Sequence, residues 1–63
     1  MVSETPVPAS LLVPGNRVRH PGCPAWGVGQ VQSVDGNRVT INFENAGKQL
    51  IKTNVVQLIL IND

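Results

Sequence analysis

The sequence has few of the residues from which small proteins build cross-links or metal sites. Among its 63 residues there is one cysteine, Cys23, and one histidine, His20. A disulfide joins two cysteines, and structural zinc takes four Cys or His ligands. We therefore expect no disulfide within the chain, no bound metal and no other cofactor. Because a chain of this size buries only about 60% of its unfolded surface, its fold must be economical.

Long apolar runs are also missing. A membrane span needs about 20 apolar residues, and no segment approaches that length. Residues 1–10 have neither the basic start nor the apolar run of a signal peptide. The single Cys23 fits a reducing compartment. These absences predict a cytoplasmic protein without a membrane partner.

Groups of catalytic residues are scarce as well. Cys23 and His20 are three residues apart, but both lie beside prolines in a loop with no Asn or Asp nearby to orient the histidine. Glu44 and Asp35 fall in turns at opposite ends of one predicted strand, so they are not the paired carboxylates of acid–base catalysis. Gly27-Val28-Gly29 lacks the rest of a phosphate-loop pattern. We expect no enzymatic activity.

Charge of either sign is low, and the formal net charge is +1. All the basic residues nevertheless fall between positions 14 and 61, where only Asp35 and Glu44 oppose them. This region is mildly basic, which fits either an ordinarily solvated surface or a nucleic-acid-binding face. The residues of such a face are Arg17, Arg19, Arg38, Lys48 and Lys52.

What the chain does have is a series of short segments with β-strand alternation. Residues 1–10 show no periodicity and are predicted to be a flexible N-terminal arm, and residues 11–63 one domain. Leu11 and Leu12 are expected to pack back on that domain before the turn at Pro14-Gly15. The five predicted strands are Arg17–His20, Val28–Val34, Arg38–Phe43, Lys48–Lys52 and Leu58–Ile61.

The second predicted strand breaks the alternation. Val28 and Val34 have one parity and Val31 the other, so a flat strand cannot bury all three on one face. A bulge or bend reconciles them, and Gly27 and Gly29 are permissive positions near the start. Small barrels need such a bent strand. The pattern predicts an all-β fold, a small five-stranded SH3/Tudor-like barrel.

The third and fourth strands are joined to their neighbours by turn signals. Asp35-Gly36-Asn37 predicts a tight hairpin. The strand after it alternates cleanly, with three residues inward: Val39, Ile41 and Phe43. In the fourth strand the sequence leaves open whether Leu50 or Ile51 faces the core. Thr53-Asn54-Val55 is short enough for a single helical turn.

Three segments in a fixed order carry a resemblance to known families. They are Pro14–Pro21, Trp26–Val31 and Val39–Phe43, within a match of roughly residues 11–61. The pattern resembles the Tudor-like domain at the C-terminus of UvrD/PcrA-type helicases and the RNA-polymerase-interacting domain of the CarD and transcription-repair coupling factor families. It resembles more closely a family of short, stand-alone bacterial proteins of unknown function. The resemblance implies an SH3/Tudor-like barrel that docks on another protein, RNA polymerase in the better-understood relatives.

Two places are predicted to bind. One is the loop around Trp26, which is either a core plug or a contact residue. The other is the last strand, whose leucines face the core while Ile59 and Ile61 face outward. Exposed apolar side chains along a terminal strand invite strand addition or self-association unless Leu11 and Leu12 cover them.

The predicted protein-binding and nucleic-acid-binding surfaces share Arg17 and Arg19. The residues predicted to bind a protein partner are Arg17, Arg19, His20, Trp26, Ile59 and Ile61. His20 is also expected to have a structural role, its ring bonding to the loop. A methyl-lysine cage is excluded, since Trp26 and Phe43 are too few aromatic residues to build one.

We expect a protein-interaction module of transcription or DNA repair, with RNA polymerase or a helicase as its partner. The alternatives are a nucleic-acid-binding barrel and a structural accessory that forms a homodimer through its C-terminal strand.

Overall fold

Alternating apolar residues arrange most of the chain as a single antiparallel sheet. The structure, a computed structural model, describes residues 3–62. Its strands are β1 (Ser3–Pro6), β2 (Arg17–Arg19), β3 (Gly29–Asp35), β4 (Arg38–Phe43), β5 (Gly47–Lys52) and β6 (Ile59–Asn62). They are ordered β1-β6-β2-β3-β4-β5, and the sheet curls into a half-barrel. The predicted all-β fold is confirmed, and the architecture is compatible with a small SH3/Tudor-like fold.

The meander β3–β4–β5 provides most of the core. Asp35 pairs with Arg38 across a two-residue turn, and Gly36 supplies its positive φ of 60°. Ile51 is 6% exposed and Leu50 is 57% exposed, so Ile51 faces the core. The remaining fully buried side chains are those of Val18, Val31, Val39, Ile41, Phe43 and Leu58.

The predicted irregularity of β3 is confirmed, but its position differs. The β3–β4 register shifts between Val31 and Ser33, so the bulge is at Gln32 and not near the glycines at the start of the strand. Gly29 has a different role. A Cβ there would lie 2.4 Å from Ile41 Cγ2 and 2.7 Å from Phe43 Cδ1. The side chains of β4 therefore occupy the volume that any larger residue at position 29 would need.

The sheet has six strands and not the predicted five, because Ser3–Pro6 forms β1 on β6. Val7, which follows β1, is buried, and its N–H donates to the Leu58 carbonyl at 3.2 Å. The sequence predicted a flexible arm without strand structure over residues 1–10, and the absence of a strand was wrong for Ser3–Pro6. Its prolines hide the strand in the sequence, since Pro usually argues against β structure.

The sequence suggested that the last strand is an edge of the sheet, but in the structure it is not. β6 pairs with β1 on one side and with β2 on the other, so the edges are β1 and β5. The expected packing of the two leucines holds for Leu12, which is buried, but Leu11 is 63% exposed.

At residues 53–55 the chain makes one tight turn, in which the N–H groups of Val55 and Val56 both donate to the Lys52 carbonyl at 3.0 Å. Within residues 3–62, none of the helical segments has the length and apolar character to cross a bilayer.

Candidate functional site

Five polar side chains and one isoleucine form a continuous row across the outer face of the sheet. Residues directly opposite each other in neighbouring strands project from the same face. The register therefore aligns one residue from each strand, in the spatial order Glu4, Ile61, Arg17, Gln30, Asn42 and Lys48. We call these six residues the outer row. Three of them belong to binding surfaces predicted from the sequence, although they come from opposite ends of the chain.

An open groove of about 680 Å³ lies along part of the outer row. Its lining residues are Arg17, Arg19, Val28, Gly29, Gln30, Asn42, Phe43, Glu44, Gly47 and Ile61. We call this site the outer-face groove. It combines two guanidinium groups, two side-chain amides and apolar surface from Val28 and Ile61. Guanidinium groups bind carboxylates through paired hydrogen bonds, and side-chain amides both donate and accept hydrogen bonds, so the groove presents both donors and acceptors.

The Arg19 side chain reaches across β6. Its Nε lies 2.9 Å from Glu4 Oε1, and these two residues are on the strands that flank β6. Since Arg19 is opposite Ile59 and Glu4 is opposite Ile61, the ion pair passes over the outward isoleucines. Both isoleucines are half-buried. They are flanked by β1 and β2 in the sheet, whereas the sequence had suggested cover by Leu11 and Leu12, of which Leu11 is exposed.

Trp26 belongs to a chain of three aromatic rings that leads to the groove. Its ring centroid is 5.0 Å from that of His20 and 5.1 Å from that of Phe43. Trp26 is half-buried and packs against the core, which agrees with the role of a core plug; its role as a contact residue stays a prediction. His20 Nδ1 accepts the Gly22 N–H at 3.1 Å, which confirms the predicted bond between its ring and the loop.

The loop that carries Trp26 is fixed to the β4–β5 turn by four hydrogen bonds. Val28 N–H donates to Glu44 Oε1 at 2.9 Å, and Glu44 N–H donates to the Val28 carbonyl at 3.0 Å. Asn45 N–H donates to the Trp26 carbonyl at 3.0 Å, and its side-chain amide donates to the Ala25 carbonyl at 3.2 Å. The loop is therefore held in place beside the groove. Sequence reasoning placed Glu44 in a turn but found no signal for this contact.

The basic residues fall into two separate groups. Arg17 and Arg19 line the groove, and Lys48 continues the outer row beside it. Arg38 and Lys52 pair with each other at the far end of the β4–β5 hairpin, four residues or about 13 Å along the strands. The five charges thus do not form one continuous face. Among residues 3–62, no three or more His, Cys, Asp or Glu side chains are grouped closely enough to hold a metal ion.

The comparison with protein families identifies the family of this chain. The model of a family described as "Protein of unknown function (DUF3553)" matches residues 12–61. The match covers most of the chain, which therefore belongs to that family. Neither the curated proteins nor the solved structures contain a significant match. The matched segment includes β2 to β5 and nearly all of β6, and it begins after β1.

Proposed function

We propose that this member of the family is a non-catalytic protein-interaction module that binds a segment of a partner protein in the outer-face groove. The observation that carries the proposal is the groove itself, which brings Arg17, Arg19 and Ile61 together with the amides of Gln30 and Asn42. Arginine is enriched at protein interfaces, and a few apolar and arginine anchors usually dominate their binding energy. Apart from Val28, whose N–H is bonded to Glu44, the lining residues lie on paired strands or on the turn next to them, so the site needs little ordering on binding.

The partner class is proposed from the resemblance alone. The segments around Arg17, Trp26 and Phe43 resemble those of barrels that dock on RNA polymerase, and we propose a protein of the bacterial transcription or DNA-repair machinery as the partner. Within that class, RNA polymerase is the first candidate and a helicase the second.

Affinity capture with matched variants tests the groove. The wild-type chain, Arg17→Glu and Lys52→Glu are each immobilised and exposed to a nuclease-treated bacterial lysate, and the retained proteins are identified by mass spectrometry. Both substitutions reverse one exposed charge, but only Arg17 lines the groove. We expect RNA polymerase subunits, or a repair helicase, on the wild type and on Lys52→Glu, with at least a ten-fold loss on Arg17→Glu. Equal retention by all three proteins, or none by the wild type, would contradict the proposal.

Nucleic acid is the competing occupant, because it would use the same two arginines. It would also use Arg38 and Lys52, which lie away from the groove. Binding of a labelled duplex and of a labelled single strand is measured by anisotropy at two salt concentrations for the wild type and for the double variant Arg38→Glu/Lys52→Glu. Micromolar binding that weakens steeply with salt and is lost in the double variant favours nucleic acid. A homodimer, the third hypothesis, would appear as concentration-dependent mass in sedimentation.

A further inference from the structure

The two edges of the sheet are both poorly suited to accept another strand. At the β5 edge, Lys48 and Lys52 project from the outer face, and lysine is a common guard against edge pairing. At the other edge, Pro6 has no N–H to offer an added strand. We therefore expect both edges to discourage the addition of a partner strand.

β6 would be a better acceptor if β1 were displaced. The hydrogen bond from Val7 N–H to the Leu58 carbonyl fixes the phase of the β1–β6 ladder. Because hydrogen-bonded pairs alternate, Thr5 and Leu60 form the next such pair. The backbone groups at position 6 then point away from β6. The missing N–H of Pro6 therefore costs no hydrogen bond in the ladder, which explains how β1 tolerates a proline. The backbone groups of Leu58 and Leu60 are paired by β1, whereas those of Ile59 and Ile61 point to β2.

β1 is a short strand at an edge of the sheet. It has four residues, and the side chains of Glu4, Thr5 and Pro6 are all exposed. Its ion pair with Arg19 leaves 46% of the Glu4 side chain and 43% of the Arg19 side chain accessible to solvent. Val7, the buried residue next to β1, lies outside the strand. Edge segments with exposed side chains open locally without global unfolding, and we treat β1 as such a segment.

We infer that β1 is a built-in competitor for a partner strand, and that an extended partner segment carrying a carboxylate at the Glu4 position replaces it on β6. The charge follows from Arg19, whose Nε binds the Glu4 carboxylate above β6. The site is continuous with the outer-face groove, because Arg19 and Ile61 line both. The family match begins at residue 12, so β1 lies outside the matched segment while its acceptor strand lies almost wholly within it. This inference rests on the proposed function, and it specifies the partner segment and its regulation.

The test uses the full chain with β1 weakened in two independent ways. Glu4→Lys places a like charge beside Arg19, and Thr5→Pro removes the N–H that faces Leu60. Asp35→Lys, an equal charge change at the exposed last residue of β3, is the control. Hydrogen exchange is followed by NMR at the Leu60 amide, which β1 pairs, and at the Ile59 and Ile61 amides, which β2 pairs. A synthetic peptide of residues 1–8 is then added.

We expect Leu60 exchange to become at least ten-fold faster in both β1 variants, with Ile59, Ile61 and the control unchanged. Added peptide should restore protection at Leu60, and a peptide with Glu4→Lys should not. The wild type should bind the peptide at least ten-fold more weakly than Glu4→Lys does, since its own β1 is present at a high effective concentration. The inference would be overturned if the Leu60 amide exchanged only together with the Ile61 amide. It would also be overturned if β1 were released but the peptide, at millimolar concentration, did not restore protection at Leu60.

The two proposals fail separately. The peptide experiment needs no cellular partner, so recovery of Leu60 protection after a failed affinity capture would refute the proposed function and leave the strand-acceptor site standing. Capture that depends on Arg17 but is unchanged in Glu4→Lys would support the groove and refute competition by β1.

Discussion

The two halves of the sheet, one on each side of the β2–β3 pairing, are built by different kinds of contact. On one side, β3, β4 and β5 follow each other in sequence through short turns and hold much of the buried core. On the other, β1, β6 and β2 come from both ends of the chain, and Ser3 pairs with Asn62. Local pairs need little loop closure, whereas distant pairs depend on the rest of the fold being in place. We therefore expect the meander to contribute most to the stability of the fold, and β1 to be the strand whose loss it tolerates best.

The largest expected effect lies in the meander. Phe43 is 2% exposed and contacts Trp26 through an edge-on ring arrangement. Phe43→Ala should destabilise the protein by about 3–5 kcal/mol, which is a large part of the roughly 3–9 kcal/mol available to a domain of this size. Urea denaturation measures the loss. Leu50→Ala, on the solvent side of β5, is the control and should stay within about 0.5 kcal/mol of the wild type.

A smaller but still large effect is expected from crowding the same core. Gly29→Ala places a methyl group against Ile41 and Phe43 at distances that real Cβ atoms do not show, so β4 must shift. We expect a loss of about 1–3 kcal/mol in the same measurement. Ser33→Ala, an exposed position on the same strand, should be nearly neutral. If Gly29→Ala were equally neutral, the close packing of β3 on β4 would be refuted.

The contact between the Trp26 loop and the meander should have an intermediate effect. Glu44→Ala removes the acceptor of the Val28 N–H and is expected to cost about 1 kcal/mol, since the site is exposed. The change should also alter the emission of Trp26, the one tryptophan in the chain. Glu44→Gln keeps an oxygen at the same place and should restore most of the stability and the emission. A substitution that leaves the emission unchanged would show that the turn does not hold the loop.

The smallest effect on global stability is expected on the β1 side. Glu4→Gln breaks an exposed ion pair with Arg19 and should cost less than about 1 kcal/mol. The loss should shrink as salt is added, because screening already weakens the pair in the wild type. Asp35→Asn is the matched control. A large, salt-independent loss would mean that β1 is as integral to the fold as β4, and the contrast between the two sides would disappear.

The sequence was informative where structure is local. The turn at Gly36, the inward residues of β4 and the broken alternation of β3 were all predicted correctly, because turn chemistry and a period of two act over a few residues. The bulge was misplaced, since two nearby glycines appeared to be the permissive positions. Gly29 is instead a glycine because Ile41 and Phe43 occupy the space above it, and only the packed sheet shows this.

The candidate site was predictable only in part. Parity alone places Arg17, Arg19, Ile59 and Ile61 facing outward, and the structure shows the four on one face. Gln30 and Asn42 were not predicted, because polar outward residues on strands carry no signal of their own. They join the site through the register of β3 against β2 and β4.

The sequence by itself determined a non-helical chain of short hairpins, through its turn residues and the alternation of its apolar side chains. It also determined that no disulfide can form within the chain, through the single Cys23. The tertiary structure alone decided that β1 exists, that β6 lies between two strands, and that an Arg19–Glu4 pair passes over its isoleucines. The physical reason is that pairing between the two ends of the chain depends on how the curled sheet brings them together. No local pattern encodes that contact.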